Sequence, residues 1–288
     1  NGEAITKRLP IDQEYTIQET KTLEKYVLNE TVQKVTLKQD EITNIQFENE
    51  KIKGKIEIIK VSADDNKLTG EKAGTKLDGA VFNIYNESDE IVDVITIKEG
   101  IGTSKLLEKG KYFIQEETSG SDNYLLNTEK YPIEITEHLK TIPITIKNNS
   151  VDIGLDIDKN GVVQAQPNDE IKYGFNSLKN TSNVSLDNFT WTDNLPYDYV
   201  RITKLFTGTY NEDLDYIVKY KTNKSEDYIE FGKYNTQKNN YIDFTSVSLE
   251  DDEFITDFKV EFGTVKAGFE AIEKPFIFAK VLPTVQPE

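Results

Sequence analysis

Apolar side chains in this chain recur at every second position, and that alternation constrains the fold more than any other feature. Ile56 and Ile58 are followed on the same parity by Lys60, with Glu57, Ile59 and Val61 between them. Phe258, Val260 and Phe262 alternate with Asp257, Lys259 and Glu261. Successive side chains of an extended strand point to opposite faces, so such alternation describes strands with one buried face. Asp64-Asp65-Asn66, Glu99-Gly100 and Lys159-Asn160-Gly161 punctuate the runs as turns. No long stretch carries helical spacing with caps. Many short strands at regular spacing predict an all-β chain of tandem sandwich modules.

An internal repeat refines this. Residues 6–49 resemble residues 103–148. Tyr15-Thr16-Ile17-Gln18-Glu19 matches Tyr112-Phe113-Ile114-Gln115-Glu116. Tyr26-Val27-Leu28-Asn29 matches Tyr124-Leu125-Leu126-Asn127, and Phe47-Glu48-Asn49 matches Ile146-Lys147-Asn148. The second copy has its own opening strands, beginning near Lys53, whereas the first has none ahead of it. The expected division is therefore the later part of a module over 1–50, a complete module over 51–149, and a larger sandwich over 150–288. The 288 residues suit two or three modules.

The net charge of −17 repels phosphate backbones and anionic lipid, which excludes nucleic acid and bare membrane as natural partners. The chain has no cysteine and no methionine. A disulfide, a thiolate metal site, a cysteine nucleophile and a thioester are all excluded. This composition fits an oxidising exterior in which the fold is held by other means. No apolar run approaches 18 residues, so no helical membrane insertion is expected. No signal peptide opens the chain, and Leu282-Pro283-Thr284-Val285 is not a sorting motif, so a longer parent protein is expected.

Within 51–149, three polar residues continue apolar faces. Lys60 has the parity of Ile56 and Ile58, Glu116 that of Tyr112 and Ile114, and Asn148 that of Ile142, Ile144 and Ile146. A lone buried lysine or glutamate costs several kcal/mol unless it is paired or neutralised. Three such residues on three strands are expected to meet. Burial disfavours charge on the lysine and on the acid, and a neutral amine is a nucleophile. A protonated Glu116 would polarise the Asn148 carbonyl, the amine would attack, and ammonia would leave. The product is an isopeptide cross-link, made once per molecule and driven by proximity. The competing reading is plain: a lysine snorkelling at a strand end, a surface acid before a turn, and an asparagine ending a strand.

The ordered blocks Lys53-Gly-Lys-Ile-Glu-Ile-Ile-Lys60, Leu77-Asp-Gly-Ala-Val-Phe82, Gly110-Lys-Tyr-Phe-Ile-Gln-Glu116, Tyr124-Leu-Leu and Ile144-Thr-Ile-Lys-Asn148 resemble the Cna-B type, or SpaA-like prealbumin-like, repeat of Gram-positive surface proteins and pilins. The resemblance covers 51–149 and the later half of a repeat in 1–50. It implies a Lys–Asn isopeptide with an acidic catalyst, falling on Lys60, Asn148 and Glu116. Gly120-Ser-Asp-Asn123 stands where the family often has Pro-Gly, which alters a loop only. In the first copy Glu19 and Asn49 match Glu116 and Asn148, and the matching lysine would precede residue 1.

From Val151 the pattern shifts. Val151, Ile153, Leu155, Ile157 and Lys159 share parity, as do Phe189, Trp191 and Asp193. Each charged residue again extends an apolar face. Ala165–Tyr173, Asp187–Pro196 and Val260–Phe269 resemble another module of cell-wall-anchored proteins. By analogy Lys159 would be a nucleophile and Asp193 its acid, with an asparagine partner beyond Glu288. A lysine in a hairpin turn and an aspartate capping the turn before Pro196 is the alternative.

Other signals carry less. Asp156-Ile-Asp-Lys-Asn-Gly161 resembles the start of a calcium loop, but Pro167 stands where the bidentate glutamate belongs. His138 is the only histidine and sits in a polar turn. Trp191 reads as core, and Asp251-Asp252 as a solvated turn. No metal or cofactor is implied. The expected role is a structural stalk segment of a cell-surface adhesin or pilin, attached by sortase to the cell wall and partnered by its own neighbouring modules. The alternative is binding of host extracellular matrix or glycan by 150–288, through an exposed cluster of Tyr197, Tyr199, Tyr210 and Tyr216. An enzyme using two carboxylates has no pair singled out by context.

Overall fold

A computed structural model describes residues 2–285 as two compact units, residues 2–150 and 151–285. Both are built from β-strands, as the alternation requires.

The first unit opens with β1 (Glu14–Gln18) and β2 (Val32–Thr36), an antiparallel pair. Their side chains alternate between half-buried and exposed, and no described residue before Lys51 is fully buried. The next strands are β3 (Lys53–Ser62), β4 (Val81–Tyr85), β5 (Ile91–Thr96), β6 (Ile101–Thr103), β7 (Leu107–Glu108), β8 (Gly110–Thr118), β9 (Lys130–Ile135) and β10 (Thr141–Asn148). They form two sheets. One runs β10-β3-β6, with β7 also on β3, and the other runs β5-β4-β8-β9. Strand β10 lies parallel to β3, so the first and last strands of this sandwich are neighbours.

Ile56, Ile58, Phe82, Ile84, Ile114 and Ile146 fill the space between these sheets and are fully buried. Each such side chain contributes about 1.5–3 kcal/mol relative to exposure. The turn at Glu99-Gly100 closes a two-residue hairpin between Lys98 and Ile101, with both central residues at positive φ, 52° and 76°. That geometry matches strand twist and favours glycine. A Cβ at Gly100 would stand 2.4 Å from the Cβ of Lys76.

The second unit begins with β11 (Leu155–Asn160), β12 (Glu170–Asn180), β13 (Leu186–Asn194), β14 (Val200–Phe206), β15 (Thr209–Tyr210), β16 (Asp215–Thr222) and β17 (Ser225–Asn235). It continues with β18 (Tyr241–Asp243), β19 (Ile255–Val265), β20 (Ala271–Glu273) and β21 (Phe276–Val281). Its sheets run β11-β12-β21-β14-β18 and β13-β19-β16-β17, with β15 and β20 as a small extra pair. Trp191 stands edge-on to Phe175 from the facing sheet at 4.6 Å and to Phe258 at 5.1 Å, which makes it core as the alternation predicts.

Two expectations for this unit fail. Lys159 and Asn160 belong to β11 rather than to a hairpin turn. Leu155 and Ile157 share the inward parity of their partners Asn180 and Leu178, yet they are 66% and 54% exposed. Parity states which face a side chain takes; it does not guarantee a second layer over that face, and β11 is an edge strand.

Candidate functional site

The alternation that buries Ile56 and Ile58 carries Lys60 into the same core, at 0% exposure. In the parallel β3–β10 register Lys60 stands beside Ile146, and Asn148 stands beside Ser62, one step further along the same face. Glu116 comes from β8 in the facing sheet, where it pairs with Phe82 of β4. Glu116 and Asn148 are 4% and 1% exposed. Two sheets thus deliver a lysine, an acid and an amide to one dry point, as their parity predicts.

The contacts there are specific. Lys60 Nζ lies 2.8 Å from Glu116 Oε1 and donates to Asn148 Oδ1. Asn148 Nδ2 faces both Glu116 oxygens, at 3.0 and 2.9 Å. The Phe82 ring lies 5.3 Å from the amine. Burial lowers the Lys60 pKa below its usual 10.5, and the neighbouring Glu116 only partly opposes this. One detail departs from expectation. The carboxylate sits against the amide nitrogen, and the lysine against the amide oxygen. The acid is therefore placed to hand a proton to the group that would leave, rather than to polarise the carbonyl.

Alternation did not reveal Asn127. Its backbone N–H donates to Glu116 Oε2 at 2.7 Å, and its side chain donates to the Lys147 carbonyl at 3.0 Å. It fixes the acid through one hydrogen bond and the end of β10 through another. The first copy repeats the device: Asn29 N–H donates to Glu19 Oε2 at 3.0 Å, and its side chain donates to the Glu48 carbonyl at 2.9 Å. The shared asparagine closing Tyr26–Asn29 and Tyr124–Asn127 was the available signal.

In that first copy Asn49 Nδ2 donates to Glu19 Oε1 and Thr22 Oγ1, both at 2.7 Å. The Asn49 Oδ1 is buried with no hydrogen-bond partner among the described residues. It is the atom that in Asn148 receives the lysine.

In the second unit Lys159 Nζ lies 2.7 Å from the Asp193 carboxylate. Tyr173 and Phe175 flank the amine, their ring centres 4.8 and 5.6 Å away. Burial raises the Asp193 pKa above 3.8, against the opposing pull of Lys159, with Asp257 adding to the rise. No asparagine side chain joins this pair among the described residues. The four tyrosines do not form one exposed cluster: Tyr210 and Tyr216 are buried, and Tyr197 and Tyr199 are exposed. Asp156 and Asp158 accept from Ser177 and Asn176 across the β11–β12 pair instead of forming a calcium loop. His138 occupies the turn between β9 and β10, where its Nδ1 accepts from the Lys53 N–H.

Comparison with known proteins agrees with this architecture. Residues 1–51 and 54–150 match the SpaA family, described as a prealbumin-like fold domain. The trypsin-resistant surface T6 protein of Streptococcus pyogenes serotype M6 is 34% identical over 134 residues, covering 46% of this chain and 23% of that protein. The matched stretch thus spans less than a quarter of that relative. Among solved structures, the Bacillus anthracis TIE protein aligns with 94% of this chain and 40% of its own, at 24% identity and a TM-score of 0.43. GBS52, the minor pilin of Streptococcus agalactiae, aligns with 56% of this chain and 66% of its own, at 18% identity and a TM-score of 0.30. With its twofold repeat, two-sheet sandwich and matched residues, the chain belongs to the SpaA prealbumin-like fold domain family.

Proposed function

We propose that the chain is a stalk segment of a cell-surface pilin or adhesin, and that its complete module, 51–149, welds itself through a Lys60–Asn148 isopeptide bond. The observation that supports this is the contact of Lys60, Glu116 and Asn148 inside the core. In this reading the chain carries modules over 1–50, 51–149 and 150–288. Their partners are neighbouring modules, further pilin subunits and the cell wall, outside the cell.

The step needs no added reagent. Lys60 passes a proton to Glu116 and becomes a neutral amine, which the dry site favours. The amine nitrogen attacks Asn148 Cγ, and a new C–N bond forms. The Cγ–Nδ2 bond breaks, and Nδ2 departs as ammonia with a proton delivered by Glu116. The second proton shed by the former ammonium remains on the acid until it exchanges with water. Each module reacts once, so Glu116 serves maturation rather than turnover. Rigid placement of amine and amide replaces a bimolecular encounter, the effect that makes sluggish exchanges proceed.

Intact mass spectrometry tests this. The folded chain should be lighter than its sequence by one ammonia, and a peptide map should join Lys60 to Asn148. A mass equal to the sequence mass refutes the bond. The second reading, binding of host matrix or glycan by 150–288, retains the exposed Tyr197 and Tyr199 alone of its four tyrosines. Loss of binding to immobilised matrix proteins or glycans on Tyr197→Ala and Tyr199→Ala would favour it.

A further inference from the structure

A bulge in β14 turns aromatic side chains outward. Val200 and Ile202 face inward, and strict alternation would send Lys204 and Phe206 after them. The register against β21 slips between Ile202 and Lys204, so Leu205 turns inward and Lys204 and Phe206 take the outer face. Phe276 and Phe278 join that face from β21, and Tyr241 joins it from β18. Phe206 stacks on Phe276 with ring centres 4.5 Å apart, and Tyr241 lies 5.1 Å beyond Phe206. Phe278 stands edge-on to Phe276 at 5.8 Å. These rings lie outside the buried core of the unit, and Tyr241 is 50% exposed. Contiguous rings on a solvent face mark a binding surface.

Two properties of this face narrow the partner. The first is its backbone. The strands β12, β21 and β14 beneath it are paired on both sides, so they offer a peptide no free edge. The ligand must be held by side chains and lie across them. Phe276, Phe206 and Tyr241 stand on three adjacent strands and span about 10 Å, which suits an extended oligomer. The second is charge. The chain carries −17 overall, yet amines edge this face. Lys172 Nζ lies 3.8 Å from the centre of the Phe276 ring, and Lys204 Nζ lies 5.4 Å from that of Phe278. Lys204 is paired with Glu170 at 2.9 Å. Lys172 has no carboxylate partner among the described residues. An unpaired ammonium beside stacked rings complements an anion that also has an apolar face. A pyranose carrying a carboxylate has both. Its C–H face packs on an aromatic ring, and its carboxylate accepts from an amine.

We propose that the outer face of β12, β21, β14 and β18 binds an acidic polysaccharide, with sugar rings lying on Phe206, Phe276, Phe278 and Tyr241 and a uronate carboxylate meeting Lys172. This rests on glycan binding by 150–288, the second reading of function, and assigns it to residues other than Tyr197 and Tyr199. The rings already brace one another, so little freedom is lost on binding.

The test titrates the chain 1–288 with fluorescently labelled oligosaccharides of hyaluronan and of polygalacturonate, which carry carboxylates, and of chitin, which carries none. At least one acidic sugar should bind about tenfold or more tightly than chitin. Raising salt from about 50 mM to about 300 mM should weaken that binding, because the ammonium–carboxylate contact is solvent-exposed. Phe276→Ala and Tyr241→Ala should each weaken it about tenfold. Lys172→Gln, which leaves every ring in place, should remove the preference for the acidic sugar. Tyr197→Ala and Tyr199→Ala should leave binding unchanged. Full binding by Phe276→Ala and Tyr241→Ala, or equally tight binding of poly-glutamate, overturns the proposal. Loss of sugar binding in the Tyr197 and Tyr199 variants instead would refute this face and keep glycan recognition in the unit. Binding of no sugar at all would refute both.

Discussion

Lys60 and Asn148 are 88 residues apart in sequence but lie on adjacent parallel strands, one register step from each other, with the lysine amine donating to the amide oxygen. A bond between them would close nearly the whole complete module into a ring. By the loop-entropy relation used for disulfides, closing a loop of that size stabilises by roughly 4–5 kcal/mol.

Glu116→Gln keeps the size of the side chain but removes the proton carrier. The expected outcome is an intact mass equal to the sequence mass and a melting temperature of the first unit lower by on the order of 20 °C, at several degrees per kcal/mol for a domain of this size. Differential scanning calorimetry and intact mass together check it. An unchanged mass deficit would refute the role of Glu116.

The same variant should show an inverted pH response. Its Lys60 remains buried and unlinked, with a pKa pushed below 10.5 by desolvation. Between that lowered value and 10.5 the unfolded chain binds more protons at Lys60 than the native chain does. Stability from this group therefore rises with pH through that window. Urea midpoints of Glu116→Gln followed from about pH 7 up to about pH 10.5, referenced to a Glu116→Gln, Lys60→Met double variant, should show the single variant gaining on the double as pH approaches the ordinary lysine value.

Asn127→Ala removes the hydrogen bond to the Lys147 carbonyl but leaves the backbone N–H on Glu116. The cross-link should still form, more slowly, in a time course of mass loss after refolding. The unlinked intermediate should be about 1 kcal/mol less stable. Complete loss of the bond would make Asn127 more than a positioning residue.

The first copy should stay open. Asn49 has its acid, Glu19, but its Oδ1 meets no lysine. Peptide mapping of residues 1–288 should find Asn49 unmodified and only one ammonia lost per chain. A link from Asn49 to any lysine within 1–50 would contradict this.

The core and the Lys60–Glu116–Asn148 meeting point were legible because strand parity is a hard geometric rule, and a charged residue on an apolar parity must find partners. Asn127 was not legible from alternation, because its contact with Glu116 runs through its own backbone N–H and its side chain reaches a backbone carbonyl; its trace was the asparagine shared by the two copies. Leu155 and Ile157 were misread because parity says nothing about whether a second layer covers the strand. Lys159 was given to a turn because Lys-Asn-Gly has turn chemistry, while the pairing of Lys159 with Phe175 extends β11 past it.

The parallel pairing of β3 and β10 has a mechanical consequence. Tension applied to the two ends of the complete module enters β3 at Lys53 and leaves β10 at Asn148. Lys60 lies near the far end of β3, and Asn148 is the last residue of β10. With the bond in place, the load runs along one strand, crosses a single amide and exits, bypassing everything from Val61 to Lys147. That span would carry no force, and stretching the molecule would find no hidden slack in it.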